Sequence, residues 1–259
     1  MPTVQTRNLR LNYQLEGVSS APVLLFSNSL GTNLKMWDGQ ASYFKRNFCV
    51  LRYDARGQGL SSVLAGNYSI SEMAEDAIAL IDALSIAKVC FCGLSMGGMV
   101  GMALALKYPQ RVEKVVMCNT APKIGTPETW NARVEAVRRG GMAAIVDSVL
   151  ERWFTPGFRT SDSPEIQKTR QMLLEAPPNG YMSCCAAVSD ADFRADLAAI
   201  RVPTLVLSGA SDPVTPPADG QQIAKQISGA HYLELPAAHL SNVEAADQFN
   251  AEVKRFLAG

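Results

Sequence analysis

At 259 residues the chain is long enough to bury one large core, and its 24 basic and 24 acidic residues leave it without net charge. Charge scattered this evenly excludes the electrostatic footprint of a nucleic-acid or anionic-membrane binder, and no apolar run approaches the length of a spanning helix. Six cysteines without a CxxC pair, and only two histidines, leave no credible cluster of metal ligands.

The first residues, "MPTVQTRNLRLNYQLEG", show no charged-then-apolar signal pattern, so a cytoplasmic location is expected. Within them Leu9, Leu11, Tyr13 and Leu15 alternate with polar residues, the period of a half-exposed strand. "APVLLFSNSLG" and "FCVLRYDARGQG" are short continuous apolar runs that end in polar loops, as buried strands do. Ser69 and Glu72 stand at capping-box spacing before Met73, Ala77, Leu80, Ile81 and Leu84, which predicts an amphipathic helix leading into the strand "VCFCGL". A helix to Tyr108 and the strand "VEKVVMCNT" follow.

From Pro122 to Asp196 the alternation stops, and Pro and Gly separate several short helices with no strand among them. It then resumes with the strand "VPTLVLSGASDP", a helix near Gln221, the strand "HYLELPAAH" and a last helix opening on Ser241 and Glu244, again at capping-box spacing. Strands alternating with helices predict an α/β fold with a mostly parallel central sheet flanked by helices. Residues 122–196 are expected to form a helical cap inserted between two parts of the core, 1–121 and 197–259. The cysteines, Cys90, Cys92 and Cys118 in strand-like runs and Cys184-Cys185 in a helical one, read as buried free thiols in a reducing compartment.

Gly93-Leu94-Ser95-Met96-Gly97 matches G-x-S-x-G between a buried strand and a helix, the setting in which a tight turn presents a nucleophilic serine above the sheet. A serine hydroxyl needs a base, and the base needs a third group to hold its tautomer. His239 lies just past a strand, at the same edge of the sheet as Ser95, whereas His231 begins that strand and belongs to the opposite edge. Asp212 follows the preceding strand. Asp190, Asp192 and Asp196 are rivals for the acid, but they lie in or beside the helical segment. The order Ser95, Asp212, His239 is the one this architecture uses.

With these residues in view, the chain resembles the α/β-hydrolases along nearly its whole length. Within them it is similar to the 3-oxoadipate enol-lactonases, through "LLFSNSLGTNLKMWDGQ", "RYDARGQGLSS", "FCGLSMGGMVGMALA" and "VPTLVLSGASDPVTPP". It departs from many relatives in carrying Asn28-Ser29 for His-Gly, itself a lactonase feature, and Gln58 for the histidine of RGHG. The resemblance implies a carboxylic-ester hydrolase that opens a small carboxylated lactone, with the Leu30 and Met96 N–H groups as oxyanion donors. No cofactor is implied, because no step needs oxidation or group transfer.

A carboxylated substrate calls for a cation or several hydrogen-bond donors in the pocket, and the cap is the place to look for them. Trp130, Arg133, Val134 and Val137 share helical spacing after Thr126-Pro127, so Arg133 is the first candidate for the carboxylate, with Arg138, Arg139 and Arg152 as competitors. Trp130, Trp153 and Phe154 are candidates for lining the pocket, and Trp37 is expected to pack beneath the oxyanion loop. The same triad would equally serve a carboxylesterase, a C–C bond hydrolase or a perhydrolase, and a ligand-binding protein could keep the fold without turnover.

Overall fold

The structure, a computed structural model, describes residues 2–6, 9–161 and 163–259. Its elements run β1 (Thr3–Thr6), β2 (Leu9–Gly17), β3 (Val23–Ser27), α1 (Asp38–Phe44), β4 (Cys49–Tyr53), α2 (Ile70–Ala83), β5 (Val89–Leu94), α3 (Met96–Lys107) and β6 (Val112–Cys118). Then come α4 (Pro127–Gly140), α5 (Val146–Trp153), α6 (Pro156–Arg159), α7 (Pro164–Glu175), α8 (Pro178–Asp190), β7 (Thr204–Gly209), α9 (Pro217–Gln226), β8 (His231–Leu235), α10 (Ser241–Glu244) and α11 (Ala246–Ala258).

The strands form one eight-stranded sheet in the order β1-β2-β4-β3-β5-β6-β7-β8, parallel from β4 to β8 and antiparallel at β1 and β2. Strands β4, β5 and β7 are buried at every residue, which is why they read as unbroken apolar runs. Helix α3 is apolar on all sides, because it lies on β5 and β6 and is covered in turn by α2. The capping box at Ser69 forms as expected, the Ser69 hydroxyl accepting from Glu72 N–H while Glu72 accepts from Ser69 N–H. The six cysteines are free and buried.

Two local expectations are corrected, and one strand is added. β2 does not keep its alternation, for Leu15 is 44% exposed while Asn12 is buried and donates to Asp54 Oδ2 at 2.7 Å. β1, unforeseen, pairs with β2 at the sheet edge. Ser241 and Glu244 form no capping box: the Ser241 hydroxyl donates to Asn119 Oδ1 at 2.5 Å, and Glu244 accepts from Ala238 N–H at 2.9 Å. Tertiary partners claimed both side chains before the helix could.

Residues 122–196 contain α4 to α8 and no strand among the described residues. Their contacts fall on loops at the carboxyl ends of the strands. A Cβ on Gly180 would lie 1.9 Å from the Gly57 carbonyl oxygen, so backbone meets backbone there. On another side Glu244 accepts from Thr155 N–H at 3.2 Å and from the Thr155 hydroxyl, and Leu240 N–H donates to Trp153 O at 3.1 Å. No helix among the described residues is long and apolar enough to cross a membrane.

Candidate active site

Ser95 stands between β5 and α3 with φ 58° and ψ −114°, a left-handed conformation that costs a non-glycine residue about 1–3 kcal/mol. The surroundings hold it there: Ser95 N–H donates to Cys118 O at 2.9 Å, and the Thr120 hydroxyl donates to Ser95 O at 2.8 Å. The turn closes only because its flanks lack side chains. A Cβ on Gly93 would lie 2.1 Å from the Gly97 carbonyl oxygen, and one on Gly97 would lie 2.2 Å from that of Ser27. Backbone cannot swing aside as a side-chain tip can, so Gly93→Ala is expected to cost about 3 kcal/mol or more. Thermal unfolding checks this, and a midpoint within about 2 °C of the parent would contradict it.

His239 is 1% exposed, and its Nδ1 lies 2.8 Å from Asp212 Oδ2. Asp212 Oδ2 also accepts from the Thr215 hydroxyl at 2.8 Å and from Asn119 Nδ2 at 3.1 Å, while Oδ1 accepts from Val214 N–H at 2.8 Å and Thr215 N–H at 3.1 Å. Burial raises the Asp212 carboxyl pKa, but the charge and hydrogen bond of His239, with the donors Asn119 and Thr215, more than offset it and hold it below the ordinary carboxylate value. Among the described residues the Ser95 hydroxyl makes no hydrogen bond; Ser95 is joined to the Asp212–His239 pair through the segment Cys118–Thr120.

A family model for the alpha/beta hydrolase fold matches residues 22–246. The chain belongs to the α/β-hydrolase family. Within that family this hydrolase is 45% identical to "3-oxoadipate enol-lactonase 2" of Acinetobacter baylyi, over 98% of its own length and 97% of the relative's. The crystal structure of an enol-lactonase from Burkholderia xenovorans superposes with a TM-score of 0.98 at 42% identity, covering both chains fully. A thermophilic esterase from Thermogutta terrifontis, solved with malate bound, gives 0.91 at 31% identity, over 99% of this chain and 97% of that one.

In the hydrolase, Leu30 and Met96 are buried, and among the described residues neither N–H has an acceptor in the chain. The next amide along, Gly31 N–H, donates to Gln58 Oε1 at 2.5 Å. Gln58 is fully buried, and its loop is fixed by the two-bond pairing of Arg56 with Asp76 at 2.6 and 2.8 Å. The glutamine that departs from RGHG thus holds the segment that follows Leu30. Trp37 is fully buried and stacks on Phe26 with ring centroids 4.7 Å apart.

The rival carboxylates Asp190, Asp192 and Asp196 are exposed, and Asp192 is taken by Arg194 at 2.6 Å. His231 is exposed at the start of β8, against Phe256. Arg138 and Arg139 are exposed and both pair with Glu135. Arg133 lies over the Trp130 ring at 5.0 Å, and the Trp130 indole N–H donates to Ile124 O at 2.7 Å. The Trp153 ring centroid lies 6.2 Å from that of His239, whereas Phe154 stacks on Phe158.

Arg152 Nε donates to Ser148 O at 3.0 Å; burial and the like charge of Arg133 pull its pKa below the ordinary arginine value. Burial raises the Tyr181 phenol well above its usual range, against the opposing charge of Arg133 and a hydrogen bond from it. A Cβ on Gly31 would lie 2.9 Å from the Tyr181 ring, so the tyrosine packs against the segment that follows Leu30. Sequence reasoning named Gln58 only as a departure from RGHG, and it passed over Asn119, Thr215 and Tyr181. Only Thr215 carried a signal, standing three residues after Asp212 as in an aspartate-initiated turn.

Proposed function

We propose that this protein is a carboxylic-ester hydrolase that opens the ring of 3-oxoadipate enol-lactone to give 3-oxoadipate in the catabolism of aromatic compounds. The observation that carries the reading is the Asp212–His239 contact at 2.8 Å, joined through Cys118–Thr120 to a serine in a strained strand-to-helix turn, in a chain so similar to an enol-lactonase throughout. His239, oriented by Asp212, takes the Ser95 proton while Oγ attacks the lactone carbonyl. The Leu30 and Met96 N–H groups receive the oxyanion, a contribution of about 3–4 kcal/mol per donor. Collapse breaks the ring C–O bond, and the leaving enol oxygen takes the proton from His239. That oxygen stays tethered to the acyl group, and ketonisation removes it as a competitor for reclosure. Water, deprotonated by His239, then attacks the acyl-enzyme; the carboxylate product leaves and Ser95 regains its proton.

The cap formed by residues 122–196 supplies the roof, with Trp130 and Trp153 as apolar walls and Arg133 for the substrate carboxylate. Arg152 is its partner, since Arg138 and Arg139 are exposed and both turned to Glu135. The partner is a small anionic lactone, with no role for nucleic acid or membrane, and the site of action is the cytoplasm. The decisive experiment follows the ultraviolet absorbance of 3-oxoadipate enol-lactone beside a simple aryl acetate. Rapid loss of the lactone with much slower acetate hydrolysis is expected; the reverse order would favour an esterase and sink the substrate assignment. Arg133→Ala and Arg152→Ala are each expected to raise KM for the lactone about 10- to 100-fold while leaving acetate hydrolysis unchanged, and equal losses on both substrates would remove the arginines from the carboxylate site.

A further inference from the structure

Asn119 directly follows β6 with φ 43°, a left-handed conformation that asparagine adopts more readily than most side-chain-bearing residues. It is completely buried, and its polar atoms are committed. Nδ2 donates to Asp212 Oδ2 at 3.1 Å and to Ala238 O at 3.0 Å; Oδ1 accepts the Ser241 hydroxyl at 2.5 Å; the backbone N–H donates to Leu207 O at 2.7 Å. One carboxamide thus grips the loop after β7, which carries Asp212, and the loop after β8 on both sides of His239. Its chain neighbours hold Ser95, through Cys118 O and the Thr120 hydroxyl.

We propose that Asn119 is a positioning residue for the acid–base pair: it fixes the edge that the Asp212 carboxylate presents to His239 and pins the histidine loop, keeping the imidazole aligned on Ser95. The proposal rests on reading Ser95, Asp212 and His239 as the catalytic triad. The oxygen that Asn119 touches is the one His239 Nδ1 approaches, so the amide selects which carboxylate oxygen faces the ring. A group that merely filled space would not need both amide hydrogens aimed at two different loops. With the amide gone, Thr215 still donates to Asp212 Oδ2, but no side chain ties that oxygen to the carbonyl of Ala238.

The test compares the parent, Asn119→Gly, Asn119→Asp and Ser95→Ala by kcat and KM across pH 5 to 9, with thermal unfolding of each. Glycine accepts the left-handed backbone and deletes only the side chain. It is expected to lower kcat about 10- to 100-fold with KM within about threefold. Aspartate sets a second carboxylate beside Asp212, and the two share one proton; its loss as pH rises adds a charge that favours imidazolium, so the acid limb of kcat/KM should move up by about one pH unit. Of the other groups facing the pair, Thr215 and Trp153 do not titrate in this range, and Asp219 on α9, whose carboxyl is raised by burial and by the Asp212 charge, is the same in every variant.

A glycine variant with the parent's kcat would overturn the proposal. So would an aspartate variant whose rate falls only in step with its stability while the pH limb stays in place; that arm also carries the test if the glycine variant does not fold. An active Ser95→Ala would instead defeat the triad reading beneath it, so the two failures are distinguishable.

Discussion

Replacement of Ser95 by alanine is expected to lower kcat on the order of 10⁵- to 10⁶-fold without unfolding the protein. The fold should survive because the strained turn is held through backbone groups: Cys118 O receives Ser95 N–H, Thr120 donates to Ser95 O, and both bonds are available to alanine. Alanine and serine share the cost of φ 58°, so the substitution adds no strain. What is lost is the only atom of the chain that bonds to the acyl carbon in the proposed mechanism. The arginines and the cap are untouched, so a carboxylate product analogue should bind the variant with its affinity retained, as calorimetry can measure. Turnover within about 100-fold of the parent would show that the lactone is opened without Ser95, by water acting directly on the carbonyl.

Asp212→Asn is the second large effect, a fall in kcat of about 10⁴-fold with the geometry kept. The carboxylate accepts from His239 Nδ1, and that contact keeps the proton on Nδ1 and leaves Nε2 free to act as base. An asparagine amide placed among the donors Thr215, Val214 and Asn119 must turn its NH₂ toward some of them or toward the ring, and the latter favours the wrong tautomer. The same substitution should change the response to acid. Because the folded pKa of Asp212 lies below its unfolded value, its contribution to stability is fully present above the unfolded value near 4 and is lost as pH falls through the folded one. Denaturant midpoints measured between pH 3 and 6 should therefore fall less steeply for the asparagine variant. Parallel curves would show that Asp212 carries no such linkage.

The parallel strands were legible because strands covered on both faces must be apolar throughout, and Ser95, Asp212 and His239 because each stands where such a strand ends. β1 was not, since four residues of mixed burial, Thr3 to Thr6, carry no pattern. Ser69–Glu72 and Ser241–Glu244 have identical spacing, yet only the first pair caps a helix. Spacing describes what a side chain can reach along its own helix, and says nothing of Asn119 or Ala238 arriving from elsewhere. Asn119 was illegible for the same reason, and Gln58 stood out only as a departure from RGHG: an amide's value depends on which loops close around it.

Gly57 and Gly180 meet with no side chain between them, and that contact seats residues 122–196 on the loop after β4. Two peptide planes in direct contact act as a spacer of zero thickness, so the helical segment sits as close to that loop as backbone allows. A single methyl group at Gly180 would be a shim, forcing the two backbones apart. The closeness of that seat is gauged, in part, by two hydrogen atoms.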